Sequence, residues 1–201
     1  MTTDQTPNAT RIALFGTSAD PPTQGHKMIL EWLSQQYDQV AVWAADNPLK
    51  SDQTPLQHRI KMLELMVASL DTSKNNVQLY HELSHPKSIK TIEKAEAMWG
   101  KDQQFTFVIG SDLVKQIPCW YASKELLQRV NLLVIPRPGY SVSKSQLKTL
   151  DEMGACYQVA NFHAPPVSST AYREKGNADV VDASVKDYIQ HKQLYSWETN
   201  T

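Results

Sequence analysis

The chain has 201 residues, with 20 Lys and Arg against 21 Asp and Glu, a formal net charge of −1 at pH 7. That balance supplies no basic face for nucleic acid, though a few local cations and helix ends suffice for small anionic ligands. No apolar run is long enough to span a bilayer, MTTDQTPNAT lacks the pattern of a secretory leader, and Cys119 and Cys156 stand in no ligand or disulfide spacing, so a reduced, cytoplasmic location is expected.

Residues 1–10 are polar and expected to be flexible, and 11–197 read as a single domain. RIALFG (11–16) predicts a first strand. GHKMILEWLSQQ (25–36) predicts a helix with Met28, Ile29, Trp32 and Leu33 on one face. QVAVWAA (39–45) predicts a second strand and DNPLKSDQTP a loop. LQHRIKMLELMVASL (56–70) predicts a helix with Ile60, Leu63, Val67 and Leu70 at helical spacing. NVQLYHEL (76–83) alternates as a third strand. SIKTIEKAEAMW (88–99) reads as a helix capped by Ser88 and closed by Gly100. FTFVIG (105–110) is apolar enough for a strand buried on both faces. A helix around ASKELLQRV, a fifth strand in NLLVIPRPG, a helix in SKSQLKTLDEMG, a sixth strand in ACYQVAN and a C-terminal helix in VVDASVKDYIQHKQLY complete the order. The fold class is therefore α/β: a Rossmann-like doubly wound parallel sheet with helices on both faces. In such a sheet ligands gather outside the carboxyl ends of the strands, which directs attention to GTSADPPTQGH, DNPLK, GSD and RPG.

The first of these loops carries unusual chemistry. Gly16 leaves the strand, Pro21 and Pro22 stiffen the loop, Thr23 offers a hydroxyl, and Gly25 and His26 then open a helix whose free amides suit phosphate. It is neither a GxxxxGK[ST] loop nor a GxGxxG fingerprint. Taken singly, it fits an ordinary capped helix with an exposed histidine better. APPVSSTAYRE repeats the design: two prolines, then Ser168, Ser169 and Thr170 as hydroxyls at a helix start, with Arg173 one turn past Ser169. Both elements in one alternating fold point to a polyphosphate site.

TQGH and SSTAYR together resemble the paired [HT]xGH and SSTxxR signatures of a nucleotidyltransferase superfamily. Within it the chain is most similar to the bacterial nicotinate-nucleotide adenylyltransferase family. GTSADPPTQGH stands against GGTFDPxHxGH, DNPLK with HRIKML against the PPHK loop and following helix, and PKSIKTIEKA against SYTxDTL. IGSDLVKQIPCW stands against IGADxLxxLxxW, RPG matches in place, and DYIQHKQLY resembles the terminal helix. Thr17, Ser18, Ala19, Thr23 and Lys90 depart from the pattern; threonine at the position of Thr23 is accepted in related enzymes.

The resemblance implies transfer of AMP from ATP to nicotinate mononucleotide, with Mg²⁺ bound mainly through substrate phosphates and no protein metal cage. Nicotinamide mononucleotide, or another phosphate acceptor such as phosphopantetheine, is the alternative. A non-catalytic nucleotide sensor is disfavoured because His26 and Arg173 are both present. The implied ATP site comprises Gly16, Thr17, Ser18, Gly25, His26, Gly110, Asp112, Arg137, Ser168, Ser169, Thr170 and Arg173. His26, Thr23 and Arg173 are the catalytic set. Lys50, Ser88 and Trp120 hold the mononucleotide, with Lys50 on its phosphate, Ser88 at its carboxylate and Trp120 on its ring. The resemblance leaves room for a homo-oligomer.

Overall fold

A computed structural model describes residues 9–46, 50, 52–162, 165–176 and 178–195. Six strands, β1 (Arg11–Thr17), β2 (Gln39–Ala44), β3 (Val77–Leu79), β4 (Gln104–Gly110), β5 (Asn131–Ile135) and β6 (Cys156–Val159), form one sheet in the order β3-β2-β1-β4-β5-β6. Every neighbouring pair is parallel. The chain moves outward from β1 in one direction and then restarts at β4 in the other. A topological switch therefore opens a crevice between the carboxyl ends of β1 and β4.

Two apolar cores cover the two faces. One packs Leu30 and Leu33 of α1 (Gln24–Gln36), Met62, Leu63 and Met66 of α2 (Leu56–Ala68), Tyr172 of α6 (Ser169–Lys175) and Val185 and Ile189 of α7 (Ala183–His191) onto the sheet. The other packs Ile89, Ile92 and Ala95 of α3 (Ser88–Trp99), Leu126 and Leu127 of α4 (Ser123–Arg129) and Leu150 of α5 (Lys144–Glu152). Strand β4 is buried from Phe105 to Ile109, as its nearly continuous apolar run, broken only by Thr106, predicts.

Three local expectations are revised. The third strand stops at Leu79, because the chain turns through a 3-10 helix at His81–Leu83 that drives Leu83 into the core beneath α3, where Thr91 Oγ1 donates to its carbonyl at 2.9 Å. Ser88 is the first helical residue of α3 rather than its cap; Lys87 is the cap residue, and its N–H donates to His85 Nδ1 at 2.9 Å. The buried seam of α2 is Arg59, Met62, Leu63 and Met66, rotated from the predicted face, so that Ile60, Val67 and Leu70 are only partly buried. Gly100 does close α3, at φ +92°.

Candidate active site

The site is built from the loop after β1. Thr23 is the N-cap of α1 and is 1% exposed. Its N–H donates to His26 Nδ1 at 3.0 Å, and its Oγ1 lies 2.9 Å from the same nitrogen. A ring nitrogen that accepts an amide proton carries none, so the neutral imidazole holds its hydrogen on Nε2. Burial pushes the His26 pKa down to about 4, and the nearby cations Arg137 and Lys50 push in the same direction. In the free protein His26 is thus a neutral Nε2–H donor fixed in the first turn of α1, at the positive end of that helix's dipole.

The second element meets the first directly. Ser168 caps α6 by accepting the Ala171 N–H at 3.1 Å. Ser169 Oγ donates to the Pro21 carbonyl at 2.7 Å, and Arg173 Nη1 donates to the Asp20 carbonyl at 2.5 Å. Thr170 Oγ1 lies 3.5 Å from Arg173 Nη2. TQGH and SSTAYR, about 145 positions apart in sequence, are therefore one structure.

Two further cations converge there. Lys50 Nζ donates to Ser18 Oγ at 2.8 Å; burial lowers the pKa of its ammonium, with Asp112 and Asp20 opposing and Arg137 and Arg173 assisting. Arg137, two residues past β5, pairs with Asp112 Oδ2 at 3.0 Å, and its N–H donates to Ser111 Oγ at 2.9 Å. Asp112 lies in a single 3-10 turn, Ser111–Leu113, that follows β4 across the switch point from β1. Its Oδ1 is buried without a partner among the described residues. Asn47–Leu49 of the DNPLK segment lie outside the described residues.

The glycines serve close packing. A Cβ on Gly16 would stand 2.5 Å from the Trp43 ring, one on Gly25 3.2 Å from Val167 Cγ2, and one on Gly110 2.4 Å from Asp112 Oδ1 and 2.8 Å from Arg137 Cδ. Gly16 admits the Trp43 indole, Gly25 seats the loop before α6 on the start of α1, and Gly110 lies under the Asp112–Arg137 pair. Thr17 is buried and its Oγ1 accepts the Ala19 N–H at 3.3 Å. On the other side of the sheet, Trp120 is half-buried and packs edge-on to Phe107 at 6.4 Å. Lys87 Nζ sits 4.1 Å over the Tyr121 ring, which brings the start of α3, with Ser88, next to the Trp120 segment.

Three residues of this region escape sequence reasoning. Arg59, 3% exposed, donates from Nε to Thr54 O at 2.9 Å and from Nη1 to Ser18 O at 3.0 Å and Ala45 O at 2.7 Å, tying the loops after β1 and β2 together. Asp20, 2% exposed, receives Tyr195 and Thr54, and Tyr195 comes from the segment after α7. The one available signal was an arginine in helical register with Met62, Leu63 and Met66.

A parallel sheet of this order, with a neutral imidazole donor and three cations gathered at its switch point, defines a nucleotide-binding transferase of the α/β class. Residues 14–175 match the model of the cytidylyltransferase-like family, and the chain belongs to that family. It is 43% identical over 197 residues to a probable nicotinate-nucleotide adenylyltransferase of Synechocystis sp., covering 92% of this chain and 98% of the relative. It is 26% identical over 195 residues to the nicotinate-nucleotide adenylyltransferase of Bacillus subtilis, with the same two coverages. Among solved structures, Plasmodium falciparum nicotinic acid mononucleotide adenylyltransferase complexed with NaAD superposes with a TM-score of 0.78 at 21% identity, over 92% of this chain and 97% of that one. This last likeness concerns the fold.

Proposed function

We propose that this enzyme transfers AMP from ATP to nicotinate mononucleotide, releasing pyrophosphate and forming the deamido dinucleotide of NAD biosynthesis. The observation that carries this reading is the junction of the two phosphate elements, Ser169 on the Pro21 carbonyl and Arg173 on the Asp20 carbonyl, beside the neutral His26. The 43% identity to a relative of that name supports the choice of acceptor.

The nucleophile needs no general base. A phosphate monoester has a second pKa of about 6 and is largely dianionic at neutral pH. Its oxygen attacks the α-phosphorus, the bond to the β-phosphate breaks, and pyrophosphate leaves with the electron pair. The difficulty is to hold two anions together, so the protein supplies position and positive charge. His26 donates Nε2–H at the α-phosphate, where charge builds in the transition state. Thr23 holds the imidazole in that tautomer and lends its hydroxyl to the phosphate region. Ser169, Thr170 and Arg173 meet the β- and γ-phosphates, with Ser168 capping the turn that carries them. Arg137 joins ATP from beyond β5, Asp112 faces the ribose, and Gly110, Gly16, Thr17, Ser18 and Gly25 shape the cleft. Lys50 meets the mononucleotide phosphate, Trp120 stacks on the pyridine ring, and Ser88 presents its amide to the carboxylate.

Among the described residues no group of three His, Cys, Asp or Glu forms a metal cage. The donor set fits Mg²⁺ carried in on the triphosphate and held mainly through substrate phosphates and water. When bound, Mg²⁺ would neutralise phosphate charge. Parallel assays with ATP, Mg²⁺ and either nicotinate or nicotinamide mononucleotide test the assignment by chromatography of the products. The acid is expected to give dinucleotide at a kcat/KM at least about 10-fold above the amide, because an amide cannot use a charge-assisted carboxylate contact. Equal rates would refute the acid preference, and no dinucleotide from either would refute the reaction.

A further inference from the structure

Asp182 is the N-cap residue of α7, where an aspartate ordinarily accepts an amide of its own helix, yet among the described residues its side chain makes no such bond. Both carboxylate oxygens face other helices instead. Oδ1 accepts Gln24 Nε2 and Lys27 Nζ, each at 3.1 Å, and Oδ2 lies 3.2 Å from the Ser69 hydroxyl at the end of α2. Lys27 Nζ also donates to Ser69 Oγ at 3.3 Å. The Lys27 and Asp182 side chains are 19% and 12% exposed, so the ion pair is largely out of water. Gln24 is the first residue of α1 and Lys27 the fourth, so the two tethers bracket Gly25 and His26.

We propose that Asp182 is a positioning residue for the reaction: it fixes the first turn of α1, and with it the His26 imidazole, against α2 and α7. The Thr23 contacts seat the ring on its own helix, but they are internal to that turn. The buried apolar side chains of α1, Leu30 and Leu33, lie beyond it. Gln24 and Lys27 are the side chains that tie the first turn itself to α7, and both end on Asp182 Oδ1. Loss of the carboxylate strands the Lys27 ammonium in a largely closed place, where an unpaired charge is costly. The side chain then turns out to water. Lys27 is the neighbour of His26, and its N–H closes the first turn onto the Thr23 carbonyl at 3.1 Å. The turn loosens, and the Nε2–H donor loses its aim. Catalysis is sensitive to this, since a misplacement of about 1 Å can cost about 10²-fold in rate. A residue 155 positions from Lys27 thereby sets the geometry of the TQGH turn.

This inference rests on the assignment of His26 to the α-phosphate. Asp182→Ala is expected to lower kcat about 10-fold while the ATP and mononucleotide KM values move less than about twofold. Asp182→Asn keeps an acceptor oxygen for Gln24 and Lys27 and is expected to lower kcat no more than about threefold. In a His26→Ala background, Asp182→Ala is expected to change kcat by less than about twofold, because it acts through the imidazole. A loss of about 10-fold in that background too would make Asp182 a support of the fold at large and overturn the inference, as would a wild-type kcat in Asp182→Ala itself. Imidazole nitrogen NMR of the free protein at neutral pH separates the inference from the reaction assigned above, since no substrate is needed. Wild-type His26 is expected to show the single tautomer protonated at Nε2, and Asp182→Ala a mixture with the Nδ1–H form. If the wild-type protein made no dinucleotide yet the mixture appeared in the variant, the inference would stand and the reaction would fall. Identical imidazole spectra in both proteins would sink the inference whatever the turnover.

Discussion

His26→Ala is expected to lower kcat by about 10²–10³-fold while the ATP KM changes by less than about threefold, because the lost Nε2–H donor acts mainly where charge develops. The variant also loses the ring nitrogen that receives the Thr23 N–H, a capping contact whose removal costs about 1 kcal/mol. Steady-state kinetics and a thermal melt separate the two effects, and near-normal turnover would remove His26 from the catalytic role. The same imidazole makes a pH statement. Its folded pKa, about 4, lies below the unfolded value of 6.5. Protonation therefore favours the unfolded chain: this contribution to stability is complete above pH 6.5 and is lost as the pH falls from there through about 4. Between pH 5 and 8 His26 stays neutral in the free enzyme. The acid limb of kcat/KM for the mononucleotide then belongs to the substrate phosphate, with an inflection at about 6.

Arg59→Ala is expected to destabilise the fold by about 3–5 kcal/mol, as an unmet buried carbonyl costs about 1–3 kcal/mol and three lose their donor together. Urea unfolding measures the difference. Arg59→Lys is expected to recover only part of it, since an ammonium on a flexible stem cannot span three carbonyls as the planar guanidinium does. A loss below about 1 kcal/mol for the alanine variant would mean that the carbonyls of Ser18, Ala45 and Thr54 find other donors and that Arg59 does not hold the two loops together.

The parts of this site that were legible in the sequence are those whose cause is local. Small and hydroxyl residues before a helical run mark a helix start, so His26 could be placed in the first turn of α1, and Ser168 at the cap of α6, from neighbouring residues alone, whereas the N-cap role of Thr23 shows only in the structure. β4 was legible because burial on both faces leaves a nearly continuous apolar run. β3 was misjudged in length because alternation continues past Leu79 to His81, whereas the need to plug the core with Leu83 turns the chain. The roles of Gly16 and Gly110 depend on Trp43 and Arg137, which arrive from β2 and from beyond β5. Arg59 and Asp20 carry no local signal, because burial of a charge is decided by partners that for Asp20 lie up to 175 residues away. Resemblance through the paired motifs reached the chemistry where periodicity could not, and it passed over the buried charges that hold the loops in place.

The central claim is that an AMP unit moves at the junction of TQGH and SSTAYR onto the phosphate of nicotinate mononucleotide. It is tested most directly by incubating the protein with ATP labelled at the α-phosphorus, Mg²⁺ and nicotinate mononucleotide, then following the label. The account predicts that the label appears in the dinucleotide in step with release of unlabelled pyrophosphate, and that both signals collapse together in His26→Ala. Label recovered as free AMP with no dinucleotide, or dinucleotide formed at the wild-type rate without His26, would contradict it.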